Sequence, residues 1–420
     1  MVKSLRAIDD EVQTSVSVNN NKNTVSKTHL IQLVSHPVQY YTPLYERLAV
    51  DPDFDFEVWY CSKTGIETKK DVEFGVAIQW DVPLLSNYKY KFLKNYARNE
   101  SLDTSTGLSN LGVIKELFKA PRKSIIWIHG WFSVTNLLAV FVGKLLGHRI
   151  FLRGDNTAVI EAKKPNTLTK KIKTFWLRQV IFKATDTFLA VGNQNKDYYR
   201  MLNVPKRKIT FAPHCIDNQR FINYREQNKN DIKALRQQLG IPLSKKVIIC
   251  SGKYIEKKRP LDLLKAVQML PNRADIFIVF VGEGNLRKEM EQFVADHDMQ
   301  QNVILTGFIN QTLMPQYYMV SDLYVMCSGM YETWGLSTNE ALCFGLPVII
   351  SDMVGCAYDL VDGNGFMYHS GDVQALSSHI QHIFSQPDAG LQAMRQRSIN
   401  IIQHYSYENI ILALKKASAS

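Results

Sequence analysis

Short apolar runs alternate with amphipathic stretches along most of this chain. Leu30 to Ser35, Phe56 to Cys61, Ile125 to His129, Arg149 to Arg153, Thr187 to Val191 and Ile209 to Ala212 predict buried strands, and patterns of helical period lie between most of them. A polar linker and a helix over Asp231 to Leu239 follow. The pattern then restarts, with strands predicted at Val247 to Cys250, Ile276 to Val281, Val303 to Thr306, Leu323 to Met326 and Pro347 to Ile350. Strands that are apolar throughout and separated by helices form parallel sheets covered on both faces. The expected fold class is α/β, with two Rossmann-like domains and a ligand site in the cleft between them. The expected units are a disordered leader over residues 1–27, a first domain over 28–213, a second over 214–404, and a closing helix over 405–420.

Composition narrows the class. With 420 residues, 45% of them hydrophobic, the chain can bury two cores and exceeds the length at which one core usually divides. The most apolar stretch, Leu137 to Leu146, contains Lys144 and is too short to span a bilayer. Acidic residues Asp9, Asp10 and Glu11 stand where a secretory signal would place its apolar core, so no such signal is expected. The six cysteines have no Cys-x-x-Cys spacing, which disfavours structural zinc and fits a reducing, cytoplasmic location.

The net charge of +11 favours an anionic partner. Two stretches interleave bases with aromatic or apolar residues: Tyr88 to Arg98, and Lys163 to Lys183 with Leu168, Phe175 and Trp176. Either could rest on an anionic membrane surface, making the protein peripheral there. The structural alternative is a solvated helix face with Trp176 in the core. No nucleic-acid motif accompanies the charge, so nucleic acid is not expected as a partner.

The densest chemistry lies in Tyr331 to Leu342, where Glu332 and Glu340 flank Gly335 and the predicted start of a helix. Gly335 permits a tight turn, and the first N–H groups of the helix lack intrahelical partners and suit a pyrophosphate. An ionised carboxylate offers two acceptor oxygens, so Glu340 could hold a neutral diol beyond the phosphates, and Glu332 a second set of hydroxyls. Ser251 to Pro260 follows the first strand of the second sheet, placing Lys253, Lys257, Lys258 and Arg259 where cations could neutralise a diphosphate.

Together with Gly345 to Asp352 and Asp362 to Phe366, the Tyr331 to Leu342 stretch resembles the donor half of the retaining glycosyltransferases of family 4, with the GT-B fold. The resemblance implies an acceptor domain first, a nucleotide-sugar donor domain second, and a C-terminal helix returning to the first. It implies that Glu332 contacts the transferred sugar, that Gly335, Leu336 and Ser337 bring the helix start to the pyrophosphate, and that Glu340 holds the ribose. Lys253 and Lys258 match the family's cationic pair, although the first is usually Arg, whose bidentate fork Lys lacks. Gly282 matches a turn near the donor, Phe308 follows a strand end that commonly meets the base, and His129 matches a position beside the transferred sugar. Thr333-Trp334 replaces the usual Gly-Phe pair, and the larger Trp334 is expected to narrow the sugar pocket.

The loop Ser35 to Tyr41 lacks the family's Gly-rich turn, and His36 and Gln39 are placed at the cleft rim, with Arg153 as a candidate for an anionic acceptor group. Val281 to Leu286 partly resembles a dinucleotide fingerprint, but Arg287 stands where the third Gly belongs, so an NAD site is not expected. Asp51, Asp53 and Asp55 lie in a Pro-containing turn before a strand, so no metal is expected, and no nucleophile elbow or Ser-His-Asp pattern is found.

The expected activity is metal-independent, retaining transfer of a hexose-type sugar from a nucleoside-diphosphate sugar to a glycan or lipid-linked hydroxyl, with His129, Lys258 and Glu332 as catalytic candidates and no resident cofactor. The alternatives are a silent sugar-nucleotide-binding subunit, which the Trp334 and Lys253 departures leave open, and an epimerase or sugar-phosphate synthase of the same fold.

Overall fold

The computed structural model describes residues 27–66, 69–70, 77–78 and 80–419. The expected leader over 1–27 lies outside the described residues except for Lys27. The first sheet holds β1 (Thr28–Val34), β2 (Phe54–Tyr60), β5 (Lys89–Phe92), β6 (Ile125–His129), β7 (Arg149–Gly154), β8 (Thr187–Ala190) and β9 (Ile209–Phe211), and the short pair β3 (Lys69–Lys70) and β4 (Ala77–Ile78) stands apart. Its order is β5-β2-β1-β6-β7-β8-β9, with every pair parallel. The second sheet holds β10 (Lys246–Ser251), β11 (Ile276–Val281), β12 (Val303–Leu305), β13 (Leu323–Met326), β14 (Val348–Ser351) and β15 (Gly365–Tyr368), in the order β12-β11-β10-β13-β14-β15, again parallel.

Each sheet separates two cores, which is why its strands read as continuous apolar runs. Along β1, Ile31 and Leu33 pack into one core, while Leu30 and Val34 face the other. Reversal of the strand order beside β1 and β10 opens a crevice at the carboxyl ends of both sheets, where ligands bind in such folds.

The chain leaves the second domain after the helix Asp388–Ile402, and the helix Tyr407–Ala419 packs on the first sheet through Tyr407, Ile410 and Leu414. Arg149 donates to the carbonyls of Ala417 and Ser418, both at 2.6 Å, and closes the open end of that helix. Lys415 pairs with Asp51 and Asp53 at 2.9 and 2.8 Å, so this acidic turn serves as a helix anchor.

Two local readings are corrected. The polar linker contains the helix Asn218–Asn228, whose one buried residue is Phe221. The basic aromatic stretch from Tyr88 forms the edge strand β5, where Lys89 pairs with Asp55 at 2.8 Å and Lys91 with Glu116 at 3.0 Å. Lys89 and Lys91 are thus matched within the fold.

Candidate functional site

The cleft holds a cavity of about 360 Å³ built mainly from strand-end loops of the second domain. After β10, Gly252, Lys253, Lys257 and Lys258 reach it; after β11, Gly282; after β12, Phe308 and Ile309; and after β13, Glu332, Gly335, Leu336, Ser337 and Glu340. Tyr40 and Trp80 enter from the first domain. Lys253, Lys258, Gly282, Phe308, Glu332, Gly335, Leu336, Ser337 and Glu340 therefore share one cavity.

Backbone demands explain several of these residues. Gly335 has φ +95°, and a Cβ there would lie 2.8 Å from the Met326 sulfur. It caps the helix Leu336–Cys343, whose first N–H groups have no carbonyl partner within the helix. Gly282 has φ +154°, and a Cβ on it would run into the Gly252 carbonyl oxygen. These two loops touch only because Gly282 has no side chain.

Charge is arranged at two depths. At the mouth, the Lys258 ammonium bonds to Glu332 Oε2, and both side chains are half-buried. Deeper, the buried Glu340 carboxylate accepts from Tyr318 Oη at 2.7 Å and from Tyr40 Oη at 3.2 Å. Burial raises the Glu340 carboxyl above its ordinary pKa, while the tyrosine hydroxyls and Arg220 pull it back. The helix start lies between these carboxylates in sequence, and its positive dipole end shares the cavity with Lys253 and Lys258. Trp80 meets Phe308 edge-on at 6.3 Å in the lining, which also includes Gln311 and Met314.

Other expected residues lie elsewhere. His36, Gln39 and His129 do not line this cavity; the β1 loop contributes Tyr40 instead. His129 ends β6 with its ring edge-on to Tyr41 at 5.4 Å, and its pKa falls to about 3 through burial, then through Arg153 and His36. The imidazole is therefore neutral at physiological pH. His36 bonds to Ser35 Oγ at 2.8 Å and is also depressed by burial.

Arg153 is a correction to the rim assignment. Its guanidinium is fully buried and donates to the carbonyls of Ala212 (3.1 Å) and Pro213 (3.2 Å), where the chain leaves the first sheet. An arginine buried against these carbonyls is not exposed at the cleft rim.

Trp334 is a second correction. It is buried outside the cavity lining, with its indole N–H donating to Asn339 Oδ1 at 2.9 Å. Its ring lies 5.4 Å from His214 and 5.8 Å from Tyr405, and packs so closely on Gly192 of the first domain that a Cβ there would collide with it. The larger ring fills the seam between domains and lies outside the lining of the cavity it was expected to narrow.

Sequence reading missed Trp80, Gln311 and Met314 as cavity residues and did not single out Tyr40 within its quoted loop. Tyr40 and Trp80 reach the cavity only where the domains meet, and no local motif marks Gln311 or Met314. Among the described residues, no three His, Cys, Asp or Glu side chains gather as metal ligands, and no helix is long and apolar enough to cross a membrane.

Comparison with known proteins agrees with this geometry. Residues 231–404 match the model of the family described as glycosyl transferases group 1. An uncharacterised glycosyltransferase of Methanocaldococcus jannaschii is 22% identical over 213 residues, covering 50% of this chain and 53% of that protein. The lipopolysaccharide core biosynthesis mannosyltransferase LpsB of Rhizobium meliloti is 27% identical, covering 62% of this chain and 70% of that protein. The chain thus matches about half the length of the first relative and somewhat more of the second. The crystal structure of Anabaena HepE in complex with UDP superposes with a TM-score of 0.70 at 15% identity, covering 94% of this chain and all (100%) of HepE. The fold is GT-B.

Proposed function

We propose that this GT-B chain, with its match to glycosyl transferases group 1, transfers a hexose-type sugar from a nucleoside diphosphate to a hydroxyl acceptor, with retention of anomeric configuration and without a metal. The observation that carries this reading is the convergence on one cavity of a helix start, Lys253 and Lys258, and two carboxylates at different depths. In this reading the diphosphate lies against the first turn of Leu336–Cys343. The ribose diol reaches Glu340, the base lies toward Phe308 and Trp80, and Glu332 holds sugar hydroxyls.

During transfer the bond from the anomeric carbon to the donor phosphate oxygen breaks, and a bond to the acceptor oxygen forms on the same face of the sugar. The acceptor proton passes to the departing phosphate oxygen. Negative charge accumulates on the diphosphate, where the helix N–H groups and the two lysines stabilise it. Lys258 leaves its ion pair with Glu332 for the phosphate, which frees Glu332 for the sugar. The side chains supply orientation and electrostatics, and none forms a covalent bond to the sugar.

The acceptor is a glycan or lipid-linked hydroxyl, met in the cytoplasm at a membrane surface, a reading supported by the lipopolysaccharide role in the name of the Rhizobium relative. The test is a thermal-shift screen of the purified chain against UDP, GDP, ADP and TDP and their sugar conjugates, with and without EDTA. It is followed by transfer to acceptor glycans and NMR of the product anomer. A selective shift that survives EDTA, with a retained anomer, supports the reading. An absent shift with every nucleotide overturns it, and binding without transfer by any pairing assigns the chain to the silent-subunit alternative.

A further inference from the structure

The helix Leu168–Trp176 has no buried residue. Leu168, Ile172, Phe175 and Trp176 fall at i, i+4, i+7 and i+8, the spacing of a stripe normally turned into a core, yet they are 74%, 60%, 66% and 43% exposed. Trp176 is therefore not in the core. The neighbouring helix Val134–Leu145, which packs beside Phe182–Ala184, also exposes Phe141 and Leu145.

The charge beside this stripe has one sign. Lys171, Lys173, Arg178 and Lys183 have no carboxylate partner among the described residues, and the nearby Glu161 is already paired with Lys164 and Lys170. Directly after the helix, a cavity of about 270 Å³ opens with Arg178, Lys183 and Lys208 over a floor that includes Phe182, Leu202 and Val204. Lys208 donates to the Thr185 carbonyl at 2.6 Å, which fixes its ammonium at the cavity while leaving N–H groups for a ligand.

We propose that the helix Leu168–Trp176 and this adjoining cavity dock the chain onto an anionic phospholipid bilayer, the apolar stripe entering the acyl boundary and the cations of the cavity holding a lipid phosphate. The proposal names the contact that the membrane-surface reading requires and rests on that reading for its purpose. Charge complementarity favours lipid: an apolar stripe flanked by cations without carboxylate partners matches an interface that is apolar inside and anionic outside. A second copy on the same face would bring like charges together across a twofold axis.

The test is co-sedimentation of the full chain, without nucleotide, with vesicles of phosphatidylglycerol mixed into phosphatidylcholine and with vesicles of phosphatidylcholine alone. Binding is expected at least about tenfold tighter to the anionic vesicles and weaker at high salt. The stripe variant Phe175→Ser/Trp176→Ser should lose most of it. Lys171→Glu/Lys173→Glu/Lys183→Glu should weaken it on the order of a hundredfold at low salt, and Arg178→Ala/Lys183→Ala should lower it with the stripe intact. All are surface changes, and an unaltered circular dichroism melt confirms folding.

Equal or absent binding by the unaltered chain overturns the proposal, as does unchanged binding by the folded variants. Conversion of a dimer to a monomer by the stripe variant would assign the face to a second copy instead. Because nucleotide is absent, failure here leaves the donor-site thermal shift unaffected, and failure of that shift leaves vesicle binding unaffected.

Discussion

Tyr40 of the first domain donates its hydroxyl to Glu340 of the second at 3.2 Å, across 300 residues of chain. Glu340 also accepts from Tyr318 of its own domain, so the carboxylate is oriented from both sides of the cleft. The residue proposed to hold the ribose is thus placed partly by the opposing domain.

Replacing Glu340 by Gln should keep the shape and remove the charge. Nucleotide affinity is expected to fall about tenfold or more, as for loss of hydrogen bonds to a charged group. The folded carboxyl pKa is raised, so its contribution to stability is complete below the unfolded pKa and is lost as pH rises through the folded one. Free Glu340→Gln protein should therefore resist urea better than the parent at pH 8, with the difference shrinking in acid. Titration calorimetry and urea melts check the two halves.

Lys258 bonds to Glu332 at the mouth of the cavity. Lys258→Ala should lower turnover roughly a hundredfold or more, comparable to losing one donor to a developing anion. The thermal shift with nucleotide should survive in part through Lys253 and the helix start. Near-normal turnover in this variant would remove Lys258 from the mechanism.

Trp334→Phe removes the indole N–H to Asn339 and part of the packing on Gly192. A stability loss of about 1 to 3 kcal/mol is expected, with donor preference unchanged because the ring lies outside the cavity. A changed ranking of sugar donors in competition assays would return Trp334 to the pocket.

Asp359 joins the domains by accepting the Asn193 N–H at 2.9 Å, and it also accepts from Tyr405 Oη at 2.9 Å. Burial outweighs these contacts and pushes its carboxyl up to about 6 from 3.8. Its contribution to stability is therefore present below about pH 3.8 and lost as pH rises through about 6. Asp359→Asn should remove a stability difference of at most on the order of 3 kcal/mol across that window. Urea midpoints of parent and variant at pH 4, 5, 6 and 7 should converge in acid and separate toward neutrality, with the variant the more stable.

The α/β class, most core strands and the Glu332 to Glu340 segment were legible because their signals are local. An apolar run such as Ile276–Val281 marks a strand buried on both faces, and Gly335 marks a turn that only a residue without Cβ takes easily. Where the local signal weakens, the reading failed: β5 alternates lysines with aromatics, and the helix Asn218–Asn228 is polar on nearly every side. Tertiary structure alone decided which side chains face which space. Trp334 sits beside Gly335 in sequence yet turns into the domain seam, Arg153 ends a strand yet closes on the carbonyls of the exit segment, and Tyr40 and Trp80 reach a cavity built by the other domain. The sequence specifies each strand and turn through its nearest neighbours, whereas the direction of a side chain at a strand end depends on how two sheets, distant along the chain, pack together.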